Sequence, residues 1–264
     1  MRIELFHFDA FATQPFAGNA AAVCPLNVAL DDTTMSKVAA ENNLSATAFL
    51  VPGGDSYELR WFTPRCEIRL CGHATMAAAA AVLNHLQPEL ESVRFETRAS
   101  GILLVRREDD LFLMDFPRLV ASRSSKPAEA LLGALGTKTL PSAILEGNDS
   151  YIAVYENEET IRSIRPDYAQ LERLHPFVAA VTAPGTNVDF VSRYFAPSYG
   201  VAEDPVTGSV HCALAPYWSE RLGKSHLHAR QLSERGGELW CEVAGDRVIL
   251  KGAAVLTMRG SLII

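Results

Sequence analysis

The chain has 264 residues, 48% of them hydrophobic and 21% charged, with a mean hydropathy of +0.06, which excludes a disordered chain and predicts a globular fold with a large core. A net charge of -7 and a pI near 5.5 exclude a nucleic-acid surface, where clustered positive charge supplies the affinity, and favour a small metabolite as partner. No run approaches the roughly 18 apolar residues of a membrane span, and the opening MRIELFHFDAFATQPF lacks the apolar centre of a leader. The expectation is a cytoplasmic protein with neither membrane nor nucleic acid as partner.

In chain order, IELFHFDAF (3–11) alternates as a strand does, and QPFAGNAAAVCPL (14–26) adds a turn and a second strand. LDDTTMSKVAAENNLS (30–45) carries acidic and hydroxyl residues ahead of an amphipathic stretch, the signature of a helix start. ATAFLVP, YELRWFTP, SVRFETRASGILLVRRED and LFLMDFP read as strands, interrupted by the helix ATMAAAAAVLNHL (74–86). Arg, Ser and Pro then cluster in PRLVASRSSKPAEALLGALG, which places a boundary near residue 118 and predicts domains at 1–117 and 118–264, the last strand returning to the first. The second half supplies strands in AILEGNDSYIAVYEN, a helix and a strand in PDYAQLERLHPFVAAVTAPG, a strand in VDFVSRYFAP, a helix in ALAPYWSERLG, and closing hairpins from His228 onward.

One unit is used twice in the wording of the chain. WFTPRCEIRLCGHATMAAAAAVLNHL and YFAPSYGVAEDPVTGSVHCALAPYWSERL share aromatic-Phe-x-Pro, an irregular segment, Gly with a polar residue, then a helix of small residues. Ten positions lead from Phe62 to Gly72 and thirteen from Phe195 to Gly208. The first N–H groups of a helix lack internal partners and carry partial positive charge, so such starts attract anions. Gly72 and Gly208 therefore suit two helix starts holding a carboxylate, facing one cleft if the halves are related by a pseudo-two-fold axis. Candidates for chemistry beside them are Cys71 and His73 in the first half and Glu203, Asp204, Thr207 and Ser209 in the second.

Structural roles account for some of these residues equally well. Asp204 or Ser209 can serve as a helix N-cap, and Cys71 as a small buried hydrophobe. His211 and Cys212 read as packing residues, His226 and His228 as surface residues, and SERGGELW as a hairpin turn because no helix follows it. The five cysteines show no CxxC spacing and read as reduced thiols, so no metal site is expected.

On DAFATQPFAGNAAAV, NLSATAFL, WFTPRCEIRLCGHAT and RYFAPSYGVAEDPVTGS, together with the RGGEL hairpin, the chain resembles the PhzF-like family of phenazine-biosynthesis isomerases over nearly its whole length. The resemblance implies an α+β architecture, the diaminopimelate-epimerase-like fold: two pseudo-symmetric domains, each a curved mainly antiparallel sheet around a central helix. It implies a homodimer that needs no cofactor and moves a proton within a small carboxylic-acid substrate. By position, His73 and Asp204 match the family's acid-base pair; Gly72, Gly208 and Ser209 match the groups around the substrate carboxylate, and Asn19 the Gly-Asn turn that shapes the cleft. The family's proton-transferring glutamate follows Leu-Ser, and here that place is Ala46, whose methyl group carries no proton. Glu41 and Glu203 are the nearest carboxylates in sequence, but Glu41 is over a helical turn away and Glu203 points away from Asp204 if the segment is extended. Related racemases of this fold use one cysteine at each helix start; Cys71 occupies the first such place and EDPVTGS leaves the second without one. Three readings stay open: an isomerase using His73 and Asp204, a catalytically silent binding protein, and an epimerase or racemase using Cys71.

Overall fold

The computed structural model describes residues 1–124, 129–147 and 149–264; part of the Ser- and Pro-containing stretch after residue 118, and Asn148, lie outside the described residues. The chain divides into two compact units, Met1–Asp115 with Lys251–Ile264, and Phe116–Leu250.

In the first unit β1 (Arg2–Ala10) pairs antiparallel with β2 (Asn19–Pro25), and β2 pairs parallel with β3 (Ala46–Pro52) across the intervening helix α1 (Asp32–Asn42). β3 is antiparallel to β4 (Tyr57–Phe62), which continues antiparallel to β5 (Glu67–Ile68). After helix α2 (Gly72–Ala81) and a π-helical turn (Val82–Leu86), β6 (Ser92–Thr97) lies parallel to β4, and β7 (Gly101–Glu108) and β8 (Leu111–Pro117) follow as antiparallel hairpins.

The two helices cover opposite needs of this sheet. α1 begins where Asp31 caps the Thr34 N–H at 2.9 Å, and it buries Met35, Val38 and Ala39, a helical face, against Leu5, Cys24, Phe49 and Phe62. Every residue of α2 from Ala74 to Ala81 is buried, so this helix is wrapped by its neighbours β1, β2, β3 and the last strand of the chain. Alanine is the side chain that satisfies this demand, because it joins the highest helix propensity to the smallest methyl-bearing volume.

The second unit opens with β9 (Ser122–Arg123), helix α3 (Glu129–Ala134) and β10 (Ala143–Gly147). β10 is antiparallel to β9 and to β11 (Ser150–Val154). β11 is parallel to β12 (Val178–Pro184) across α4 (Glu158–Ser163) and α5 (Tyr168–Glu172), and β12 is antiparallel to β13 (Phe190–Phe195). β13 is then parallel to β14 (His226–Gln231) across α6 (Gly208–Leu222), and β14 antiparallel to β15 (Gly237–Ala244) through the SERGG turn. β16 (Arg247–Gly252) leads to β17 (Ala254–Ile263), which pairs antiparallel with β1 and so closes the first unit.

Each unit thus runs through one order of pairings: antiparallel, parallel, antiparallel, parallel, antiparallel. The helix spanning the second parallel connection is α2 in one unit and α6 in the other, the two stretches that share sequence wording. Helix α6 begins at Gly208, the helix start that the repeated wording places there, five residues ahead of ALAPYWSERLG, and it tolerates Pro216 inside it. His211 and Cys212, read as packing residues, are buried in its first turns. Helix α4, which the sequence reading lacks, starts from a local signal, Asn157 capping the Thr160 N–H at 2.9 Å.

Candidate active site

The first helix start lies in the first unit. The segment from β5 reaches Cys71 in an extended conformation (φ -144°, ψ 104°) as the N-cap of α2, with no side chain capping the helix. A Cβ placed on Gly72 would meet nothing within 4 Å, so the space before this helix turn is open. His73 follows, half-buried, and burial holds its pKa down to about 4, so the imidazole is neutral at neutral pH.

Two residues meet His73, Ser45 and Cys71. Ser45 Oγ lies 3.1 Å from His73 Nε2, and the same oxygen is 2.7 Å from Asn19 Oδ1 and 2.6 Å from the Ala20 carbonyl. Cys71 Sγ stands 3.5 Å from Nδ1 and 3.8 Å from Nε2. Asn19 is fully buried at the head of β2, and it is placed there by Gly18, whose backbone (φ +65°) and close approach to the Ala10 carbonyl exclude any side chain. Ala46 is fully buried as the first residue of β3, in parallel register with Ala21. Position 46 therefore adjoins Ser45 in the chain, one residue from a group that touches His73.

The second helix start lies in the second unit, where Thr207 is the N-cap of α6 (φ -114°, ψ 99°), again without a side-chain cap. Neither Asp204 nor Ser209 caps the helix, which corrects that alternative: the Asp204 carboxylate accepts the Thr207 hydroxyl at 2.6 Å, and Ser209 is exposed in the first turn. The loop is held from β14 by Gln231, fully buried, whose Oε1 accepts the Thr207 N–H at 2.9 Å and whose amide donates to the Asp204 carbonyl at 2.6 Å. Burial and the nearby Asp204 charge push the Tyr194 phenol up to about 12, so it stays a neutral hydroxyl group. One turn inside α6, His211 donates from Nδ1 to the Thr207 carbonyl at 2.7 Å and is fully buried, a packing residue as read from the sequence.

These two starts differ from the other helices with described caps. Asp31, Asn157 and Asp167 each place a side-chain oxygen on the first turn of α1, α4 and α5. Only α2 and α6 among these begin with glycine after a residue whose side chain leaves the first N–H groups alone. The structure thus joins Asn19, Cys71, Gly72 and His73 in one cluster, and Asp204, Gly208 and Ser209 in another. Ser45 and Gln231 are the residues sequence reasoning missed. Ser45 had a signal, being next to Ala46, whereas Gln231 comes from a strand 27 residues after Asp204 with no motif to announce it.

The remaining candidates fall out of the chemistry. Glu203 is taken up by Arg193 in a bidentate pair at 2.7 and 2.9 Å, and Glu41 is exposed near the end of α1. His226 is exposed as expected, but His228 is half-buried, its ring stacked 5.0 Å from Trp240, which faces it across the β14–β15 ladder. The five cysteines form no disulfide with one another.

Comparison with known proteins matches residues 8–260 to the family model described as phenazine biosynthesis-like protein. The chain belongs to this family. An uncharacterized isomerase of Pseudomonas aeruginosa is 48% identical over 262 residues, covering 99% of both chains. The crystal structure of a PhzF-family phenazine biosynthesis protein from Enterococcus faecalis superposes with a TM-score of 0.95 at 42% identity, covering 100% of both chains. A probable proline racemase from Agrobacterium radiobacter shares the fold at a TM-score of 0.62 and 12% identity, covering 99% of this chain and 92% of its own. The PhzF-like family and its epimerase-like fold, expected from the helix-start motifs, are therefore those of this protein, and it belongs among isomerase relatives.

Proposed function

We propose that this PhzF-family protein is an isomerase that moves a proton within a small carboxylate-bearing metabolite, without a cofactor. The observation that carries the reading is the pair of uncapped glycine starts of α2 and α6, each with a group able to exchange protons beside it, His73 and Asp204. The free N–H groups of Gly72, Gly208 and Ser209 suit a carboxylate, which would replace the missing caps and gain from the helix dipole. Asn19 and Cys71 shape the first of these places. In this reading Asp204, its carboxylate already oriented by Thr207, and neutral His73 exchange protons with the substrate. The protein acts as a homodimer in the cytoplasm.

Ala46 favours a second reading, a catalytically silent protein that retains the binding site. A fully buried methyl group stands where the family carries its glutamate, and nothing at that position can move a proton. Substituting Ala46→Glu separates the two: transfer gained only by the variant supports the silent protein, and equal transfer by both supports the isomerase with its acceptor elsewhere. Cys71 as the single base of an epimerase is the third possibility. Its thiol is buried and Thr207 holds the corresponding place before α6, so a two-thiol mechanism has no second cysteine. Loss of Cα proton exchange in Cys71→Ser would support it.

A further inference from the structure

Ser45 has one proton and three polar neighbours. Two of them, the Ala20 carbonyl at 2.6 Å and the Asn19 side-chain oxygen at 2.7 Å, bring no proton of their own. Contacts this short between oxygens repel unless a hydrogen lies between, so the hydroxyl donates to one of these oxygens. If the Asn19 amide is turned so that its nitrogen faces Ser45, it donates, and the hydroxyl still gives its proton to Ala20. No arrangement leaves that proton for His73. The 3.1 Å contact to His73 Nε2 is then a bond in which the imidazole donates and Ser45 accepts.

We propose that Ser45 is the positioning residue that fixes His73 as its Nε2–H tautomer and thereby makes Nδ1 the proton-accepting atom at the start of α2. Cys71 does not compete for that atom in the ring plane. An in-line contact to one ring nitrogen leaves the other about 2 Å farther away, whereas the sulfur is 3.5 and 3.8 Å from the two, which puts it over the ring face. Burial keeps the ring neutral at neutral pH, so Nδ1 bears a lone pair and no second proton. The contrast within the molecule supports the assignment: His211, the buried histidine of α6, has its proton on Nδ1 because the Thr207 carbonyl accepts there at 2.7 Å. The two helices carry opposite tautomers, each set by its neighbour. In a chain whose position 46 has no carboxylate, His73 Nδ1 supplies an acceptor. That use rests on the isomerase reading; the tautomer does not.

The test is long-range proton–nitrogen correlation NMR of ligand-free protein labelled with nitrogen-15 histidine, at pH 7, with His73 assigned through His73→Gln. The expected spectrum shows His73 protonated at Nε2 and bare at Nδ1. Ser45→Ala is expected to mix the tautomers, and Ser45→Thr, which keeps the hydroxyl, to retain the pattern of the unaltered protein. A proton on Nδ1 in the unaltered protein overturns the proposal, and so does a Ser45→Ala spectrum unchanged from it. If Ser45→Ala does not fold, Ser45→Thr decides: a retained Nε2–H pattern upholds the proposal and a lost one overturns it. Because no substrate is present, an Nε2–H spectrum from a protein that exchanges no proton with any substrate upholds the tautomer and removes the isomerase reading alone.

Discussion

Arg193 grips both oxygens of Glu203, at 2.7 and 2.9 Å, with its guanidinium 5.0 Å above the Phe195 ring. The first unit repeats the arrangement: Arg60 holds both oxygens of Glu67 at 2.7 Å and lies 5.1 Å above Phe62. In each unit the arginine precedes its phenylalanine by two positions, and the glutamate precedes the helix-start glycine by five. The pair ties the end of a strand to the segment that delivers the chain to Gly72 or Gly208. The planar fork of arginine fits a carboxylate in two parallel bonds, which lysine cannot do.

Removal of one partner from such a pair is expected to destabilise the protein. Arg193 and Glu203 side chains are only 11% and 15% exposed, so Glu203→Leu leaves a nearly buried guanidinium unpaired and is expected to lose about 3 kcal/mol. Arg193→Met with Glu203→Leu is expected to lose less than the two single substitutions together. Urea unfolding of the three variants measures this, and strict additivity would contradict a coupled pair.

His211 makes stability depend on pH. Its folded pKa is held near 4 by burial, below the unfolded value near 6.5, so the unfolded chain binds a proton first as pH falls. The stability that comes from keeping this ring neutral is full above about pH 6.5 and is lost progressively toward pH 4, in total about 3 kcal/mol. Urea midpoints measured from pH 7.5 to 4.5 are expected to fall, and to fall less steeply in His211→Asn.

Two glycines are expected to respond in opposite ways to a methyl group. Gly18→Ala places its Cβ 2.2 Å from the Ala10 carbonyl oxygen in a left-handed backbone, and it is expected to lose several degrees of melting temperature and to disturb Asn19. Gly72→Ala enters open space and is expected to leave the melting temperature within about 1 kcal/mol equivalent of the unaltered protein. Thermal unfolding of both compares them directly.

Helix α2 has no room for larger side chains. Ala78 is fully buried on a helix buried all round, so Ala78→Leu is expected to destabilise by about 1–3 kcal/mol through overpacking. A neutral effect in chemical unfolding would show that the wrapping of α2 is loose.

The sequence is most legible where a local rule decides. The strands of the first half, the capped start of α1, the hairpin after Gln231 and the glycine starts of α2 and α6 follow from alternation, caps and turn residues. The pairing order is less legible, since parallel partners such as β2 with β3 or β13 with β14 are set by helices crossing between them. The site was half legible: Cys71, Gly72, His73, Asp204, Gly208 and Ser209 lie in the motifs themselves. Ser45 and Gln231 act by reaching across the chain, over 28 residues to His73 and 24 to Thr207, distances at which spacing carries no information. The Arg60–Glu67 and Arg193–Glu203 pairs lie between these cases, because their equal spacing to the two glycines is visible once the units are aligned.

The isomerase account turns on whether the unaltered chain, with alanine at position 46, moves a proton. The most direct measurement is proton NMR in heavy water of this protein, and of its His73→Gln and Asp204→Asn variants, with a dihydro-hydroxyanthranilate and a panel of small amino and hydroxy acids. The account predicts deuterium at one carbon of one compound with the unaltered protein, and loss of that exchange in both variants. Exchange absent with the unaltered protein and present only after Ala46→Glu would contradict it, and would make this chain a binding protein built on an isomerase fold.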